Sequence, residues 1–231
     1  VVKSRIHILA CLSILFLIVF HTPGTAKTLF SEDFSKGADR WEPGDGEWVV
    51  DNGEYVQKTT DFFTASFLKK EAWDLAWTEY TLELRAIKLA GDEAWDIVFG
   101  VIQDNTPFIK EDRETFFDWN IGGWTNTRSA LRKWVNGSEA EVNGSGHTIE
   151  TGKWYKVKIE VSPTKVVGYL NDEKVFEHNE GPAEGRIGFE LFGTSAAFDD
   201  IIVYDAGGPS PKAVYPDQDL ATCWGHMKLH K

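Results

Sequence analysis

From Leu29 onward the chain alternates apolar and polar residues with a period of two. Tyr80-Thr81-Leu82-Glu83-Leu84-Arg85 does so, and Tyr155, Val157, Ile159 and Val161 alternate with Lys156, Lys158 and Glu160. A strand turns successive side chains to opposite faces, so these segments read as strands with one buried face. Further strands are expected at 47–51, 54–58, 64–68, 95–103, 115–121, 129–135, 165–170, 173–178, 185–192 and 197–204, which are rich in Val, Ile, Phe, Tyr and Trp and separated by turn residues. Asn171-Asp172 sits between two such runs as a hairpin turn. Residues 93–103 carry apolar side chains at both parities, which predicts a central strand covered on both faces. No ten-residue stretch sustains a period of 3.6, although 69–77 has room for one helical turn. Many short strands at this spacing predict an all-β fold, a two-sheet antiparallel jelly-roll sandwich with an open concave face where a ligand would lie.

The N-terminus departs from this pattern. Lys3 and Arg5 precede an apolar run from Ile6 to Phe20, and Gly24-Thr25-Ala26 supplies small residues at its end. A basic start, a short apolar stretch and a small-x-small site describe a secretory leader, with cleavage expected after Ala26. The run is about 15 residues, shorter than the roughly 20 that a spanning helix needs. The expected organisation is a leader at 1–26, one domain at 27–205, and a linker and C-terminal tail at 206–231. Asp205-Ala206-Gly207-Gly208-Pro209-Ser210-Pro211 opens the linker. The expected location is secreted or periplasmic.

The net charge is −12; the leader holds two of the 24 bases and none of the 36 acids, so its loss takes the charge to −14. Such a surface disfavours nucleic acid, and equally an anionic membrane once the leader is gone. Of the two cysteines only Cys223 lies beyond the leader, so no internal disulfide and no Cys/His metal cluster is expected in the domain.

Specific blocks add a resemblance. Asp118-Trp119-Asn120-Ile121-Gly122-Gly123-Trp124-Thr125-Asn126-Thr127-Arg128 resembles a block in the concanavalin-A-like accessory domain of some family 51 α-L-arabinofuranosidases. So do residues Glu150 to Val161, followed by Gly168-Tyr169-Leu170-Asn171-Asp172. Gly185-Arg186-Ile187-Gly188-Phe189 and Ala197-Phe198-Asp199-Asp200-Ile201 are similar to closing motifs of laminin-G-like and concanavalin-A-like domains more widely. The opening Glu32-Asp33-Phe34, Trp41 and Gly46-Glu47-Trp48-Val49-Val50 fits the same superfamily. The resemblance covers about residues 29–205. It implies a concanavalin-A-like lectin/glucanase fold and an accessory domain standing apart from any catalytic barrel.

Candidate chemistry concentrates in residues 116–134. Phe117, Trp119 and Ile121 share one parity and are expected in the core, which sends Asp118 and Asn120 to the opposite face. Sugar recognition needs an apolar plate for the ring and planar polar groups for paired hydroxyls. Trp124 or Trp134 would stack, while Asp118, Asn120, Asn126 and Arg128 would hydrogen-bond; otherwise the indoles plug the sandwich and the polar groups brace the loop. Glucanases of this fold carry an E-x-D-x-x-E strand motif. The nearest match, Glu93 and Asp96, is three residues apart, so an unbulged strand points the two to opposite faces, and Phe99 stands where the third acid belongs. No catalytic residue is assigned. Glu32 or Asp33 at the first strand, with Asp199 or Asp200 at the last, are candidates for a structural Ca²⁺. Asn136-Gly137-Ser138 and Asn143-Gly144-Ser145 match the glycosylation acceptor pattern and read as turn chemistry.

The leading expectation is a secreted carbohydrate-binding module for a polysaccharide. The alternatives are a small jelly-roll glycoside hydrolase, of glucanase or 3-keto-disaccharide hydrolase type, and a laminin-G-like adhesion domain that binds protein.

Overall fold

The computed structural model describes residues 26–93, 95–102 and 115–206. Residues 1–25 of the expected leader, the tail with Cys223, and all but the start of the linker lie outside the described residues; the expected cleavage point, between Ala26 and Lys27, falls just inside them. Fifteen strands run in chain order as β1 (Thr28–Glu32), β2 (Trp41–Pro43), β3 (Trp48–Asp51), β4 (Glu54–Gln57), β5 (Phe62–Leu68), β6 (Tyr80–Gly91), β7 (Trp95–Val101), β8 (Phe116–Gly122), β9 (Arg128–Val135), β10 (Ser138–Ser145), β11 (Trp154–Ser162), β12 (Lys165–Leu170), β13 (Glu173–His178), β14 (Arg186–Phe192) and β15 (Thr194–Asp205). A single 3₁₀ turn, Lys70–Ala72, occupies the stretch that had room for one. Among the described residues no helix is long and apolar enough to cross a membrane.

The strands form two antiparallel sheets. One has the order β13-β12-β11-β6-β15-β4-β3, with β1 also paired to β15; the other has the order β10-β9-β8-β7-β14-β5-β2. The core lies between them. Leu82, Leu84, Val157, Ile159, Phe198 and Val203 of the eight-stranded sheet meet Trp95, Ile97, Phe99, Phe117, Trp119, Leu131 and Phe189 of the seven-stranded sheet. Phe189 stacks on Phe198 across the interface at 3.9 Å between centroids and on Trp41 at 4.9 Å. In β11 the alternation is clean, with Tyr155, Val157, Ile159 and Val161 buried and their neighbours partly exposed.

Turn chemistry fixes the hairpins. Asn52-Gly53, Asn136-Gly137 and Asn171-Asp172 each hold two successive residues at positive φ, the primed turn whose twist matches the flanking strands. Asn136 therefore takes the turn role expected of it. Asn143 does not: it lies inside β10, just past a bulge in its pairing with β9. The ends of the domain are tied together. β1 pairs with β15, and the Lys27 backbone N–H donates to Asp205 Oδ1 at 2.9 Å.

β7 is buried along its whole length. Its second covering is a smaller apolar cluster on the outer face of the seven-stranded sheet, formed by Ala65, Phe67, Val98, Val101, Phe116 and Trp134. That outer face carries the polar chemistry.

Candidate functional site

Register places the side chains. On the outer face Asp96 lies opposite Asn120 of β8 and, on its other side, opposite Glu190 of β14. In the next row Asp118 lies opposite Arg132 of β9. Like charges facing one another across strands are destabilising unless something compensates. Here Arg132 compensates. Its Nε donates to Asp118 Oδ1 and its Nη2 to Asp96 Oδ2, both at 2.6 Å. Asn120 Nδ2 donates to Asp96 Oδ1 at 2.6 Å, and Trp134 Nε1 donates to Asp118 Oδ2 at 2.5 Å. Every oxygen of the two aspartates thus accepts a hydrogen bond, and both residues are fully buried. Burial pushes the Asp96 carboxyl well above the usual carboxylate range; Arg132 pulls it down, and Asp118 and Glu190 push it up again. Burial also opposes charge on Arg132, but Asp96 and then Asp118 outweigh it and hold its pKa above the ordinary value.

The chain turns sharply after β8. Gly122 has φ 78°, and Trp124, Thr125 and Asn126 follow at φ 51°, 58° and 55°. Three successive side-chain-bearing residues in the left-handed region are strained, and such strain gathers at ligand sites and switches. A Cβ on Gly123 would stand 2.0 Å from Asn120 Oδ1, so only glycine lets the turn close over the network. Asn126 holds the turn down, donating to Ile149 O at 2.7 Å and accepting from Ile149 N at 2.9 Å. Trp124 remains 38% exposed. The Arg128 guanidinium lies 3.8 Å from the Trp124 ring centre and is itself held by Glu141 through two bonds of 2.9 and 2.6 Å.

The expected site residues therefore divide. Asp118 and Asn120 project away from the core, as their parity requires, and Trp134 joins them there as a buried donor rather than an open plate. Trp124 and Arg128 form an exposed platform at the strand end. Asn126 is spent on the backbone of Ile149. Arg132, Glu190 and Asp96 complete the network and were not expected in it.

The terminal-strand acids have other partners. Glu32 Oε2 accepts from Arg40 Nε at 3.0 Å, and Asp33 Oδ1 accepts from Ser35 Oγ at 2.7 Å. These Ser35 hydrogen bonds hold the Asp33 carboxyl below its ordinary value. Arg85 binds Asp199 Oδ2 at 3.0 Å and Asp200 Oδ2 at 2.8 Å. Glu32, Asp33 and Asp200 do line one open hollow of about 830 Å³ together with Lys36 and Arg40. Among the described residues, the acids whose ligand atoms gather as a metal site would need are Asp96, Asp118 and Glu190, within 4.8 Å of one another. The cation among them is the Arg132 guanidinium, so a metal ion at either place would compete with arginine. We expect EDTA to leave the melting temperature unchanged; a fall that Ca²⁺ reverses would contradict this.

No family model matches the chain. Over 154 residues it is 34% identical to an extracellular exo-α-L-arabinofuranosidase of Streptomyces chartreusis, a match that covers 66% of this chain and 17% of the enzyme. The chain thus spans about a sixth of the length of that relative. Among solved structures, a galectin-like protein of unknown function from Bacillus subtilis aligns at TM-score 0.62 and 12% identity, covering 82% of this chain and 100% of that one. The carbohydrate-binding module CBM66 from Bacillus subtilis aligns at TM-score 0.56 and 16% identity, covering 72% and 96%. The β-glucanase of Bacillus licheniformis aligns at 0.53 and 12%, covering 80% and 99%. The fold is that of the concanavalin-A-like jelly rolls. Its expected likeness to an arabinofuranosidase stands, over part of that enzyme's length.

Proposed function

We propose that this jelly roll is an exported carbohydrate-binding module that holds a polysaccharide at the turn Gly123–Arg128, without cleaving it. The observation that carries this reading is Trp124, a large indole left exposed on a strained turn and steadied by Arg128. An apolar ring presented this way covers one face of a sugar, and the fixed Arg128–Glu141 fork offers donors and acceptors to its hydroxyls. The leader-like residues 1–26 and the extracellular relative support a secreted or periplasmic location, with the folded unit spanning 27–205. A shallow platform of this kind supports an affinity of roughly 10 µM to 1 mM, or about 4–7 kcal/mol.

Trp124→Ala is expected to weaken binding by about 1–3 kcal/mol in calorimetry with arabinan, xylan or β-glucan. Because the ring is exposed, the melting temperature is expected to hold. Unchanged affinity in the folded variant would remove Trp124 from the site.

A second reading has one observation in its favour. Asp96, Asp118 and Glu190 bring carboxyl groups from three strands close together, and burial raises Asp96 toward the protonated form that a general acid needs. Both oxygens of Asp96 are already engaged, which favours a structural network. Release of reducing sugar that Asp96→Asn abolishes would establish the hydrolase instead.

A further inference from the structure

We propose a second sugar subsite, for a neutral pentose or hexose ring, at the aromatic corner formed by Phe62, Phe63 and Phe192. It deepens the carbohydrate-binding reading and rests on it. Phe62 is 66% exposed and Phe63 42% exposed. Phe63 meets Phe192 edge-on at 4.8 Å between centroids, and Phe62 stands 6.5 Å from Phe63. The corner sits where the β5–β14 register slips between Leu191 and Phe192, and Phe63, at φ 61°, stands at that bulge. A bulge re-aims a side chain, and a phenylalanine in the left-handed region is a true outlier. The sequence there thus departs from regular pairing and leaves an aromatic side chain in solvent.

The corner borders the polar network. The Arg132 guanidinium lies 5.6 Å from the Phe192 ring centre, and Glu190 is two residues before Phe192 on β14. Gly193 borders Phe62 and Glu93: a Cβ there would lie 3.5 Å from the Phe62 ring and 3.5 Å from Glu93 Cγ, in ordinary contact with both. Exposed apolar plates match the C–H face of a sugar ring. Three rings expose far less area than the roughly 800 Å² per partner of a stable protein interface. Carboxylates outnumber bases over the chain, 36 to 24, so a neutral glycan fits and a polyuronate does not.

The test is calorimetry of the full chain with arabinan, xylan, β-glucan and polygalacturonate, for wild type, Phe62→Ala, Phe63→Gly and Trp124→Ala. Phe63→Gly removes the ring and relieves the positive φ, so it is expected to melt no lower than wild type. Both phenylalanine variants are expected to lose roughly fivefold to tenfold in affinity for the neutral glycan. Wild-type affinity in both, with loss only in Trp124→Ala, would overturn this subsite and leave the binding function standing. Binding of none of the glycans by wild type would overturn both. Polygalacturonate bound as tightly as the neutral chains would overturn the ligand class. A wild-type dimer that Phe62→Ala dissolves would assign the corner to self-association instead.

Discussion

Arg132→Met is expected to lower the unfolding free energy by about 3–5 kcal/mol in urea denaturation near neutral pH. The guanidinium bridges Asp96 and Asp118 across β7, β8 and β9, and both carboxylates are shut off from water. Its removal strands two acids in a place where ionisation is expensive, with Glu190 adding a third. The sign of the pH dependence follows. Asp96 is raised in the folded state, so between its unfolded value, about 4, and its folded value the native protein holds more protons than the unfolded chain. Stability therefore falls as pH rises through that window. Without Arg132 the folded value climbs further and the window widens, so the variant's deficit should be smallest near pH 4 and grow toward neutrality. Adding Asp96→Asn and Asp118→Asn should recover much of the loss, since the cost lies in the unpaired charges. A deficit below about 1 kcal/mol at pH 7 would contradict a buried, compensating arginine.

Trp119→Ala should cost a similar amount, about 3–5 kcal/mol, by opening a cavity between the sheets. Its side chain is fully buried and meets Phe176 edge-on at 5.0 Å. Trp124, five residues on, is the opposite case. The two substitutions delete the same side chain from the same sequence block, yet the first is expected to act on stability and the second on binding. Equal melting temperatures for both variants would mean that the core is misplaced.

The alternation that predicts Trp119 inside and Asp118 outside is legible because β8 is regular from Phe116 to Gly122. The central strand β7 is legible from its apolar residues at both parities. β10 is not: Ser138–Ser145 is mostly polar and exposed, with Ala140 and Val142 its only apolar side chains, and its Asn143-Gly144-Ser145 reads like a turn. Candidate chemistry follows the same division. Glu93 and Asp96 do not make an in-strand pair, as their spacing indicates. The carboxyl neighbours of Asp96 come from β8 and β14, at sequence separations that only register reveals. Arg132 lies in an alternating strand and reads as an ordinary solvent-facing base, although its face is covered. Trp134 has the right parity for the outer face, but its burial depends on Phe116, with which it stacks at 5.7 Å. The aromatic corner is hidden for another reason. Phe62 and Phe63 precede the strand expected at 64–68 and nothing in the sequence marks them as exposed, while the bulge opposite Phe192 and the positive φ of Phe63 are visible only in the structure.

This jelly roll is proposed to bind a neutral polysaccharide and leave it intact. The most direct test is calorimetry of the 27–231 protein with arabinan, xylan and β-glucan, followed by a reducing-sugar assay on the same mixtures. Saturable binding to at least one of them is expected, at roughly 10 µM to 1 mM, with no rise in reducing ends. Absence of binding to all three, or hydrolysis of the one bound, would contradict it.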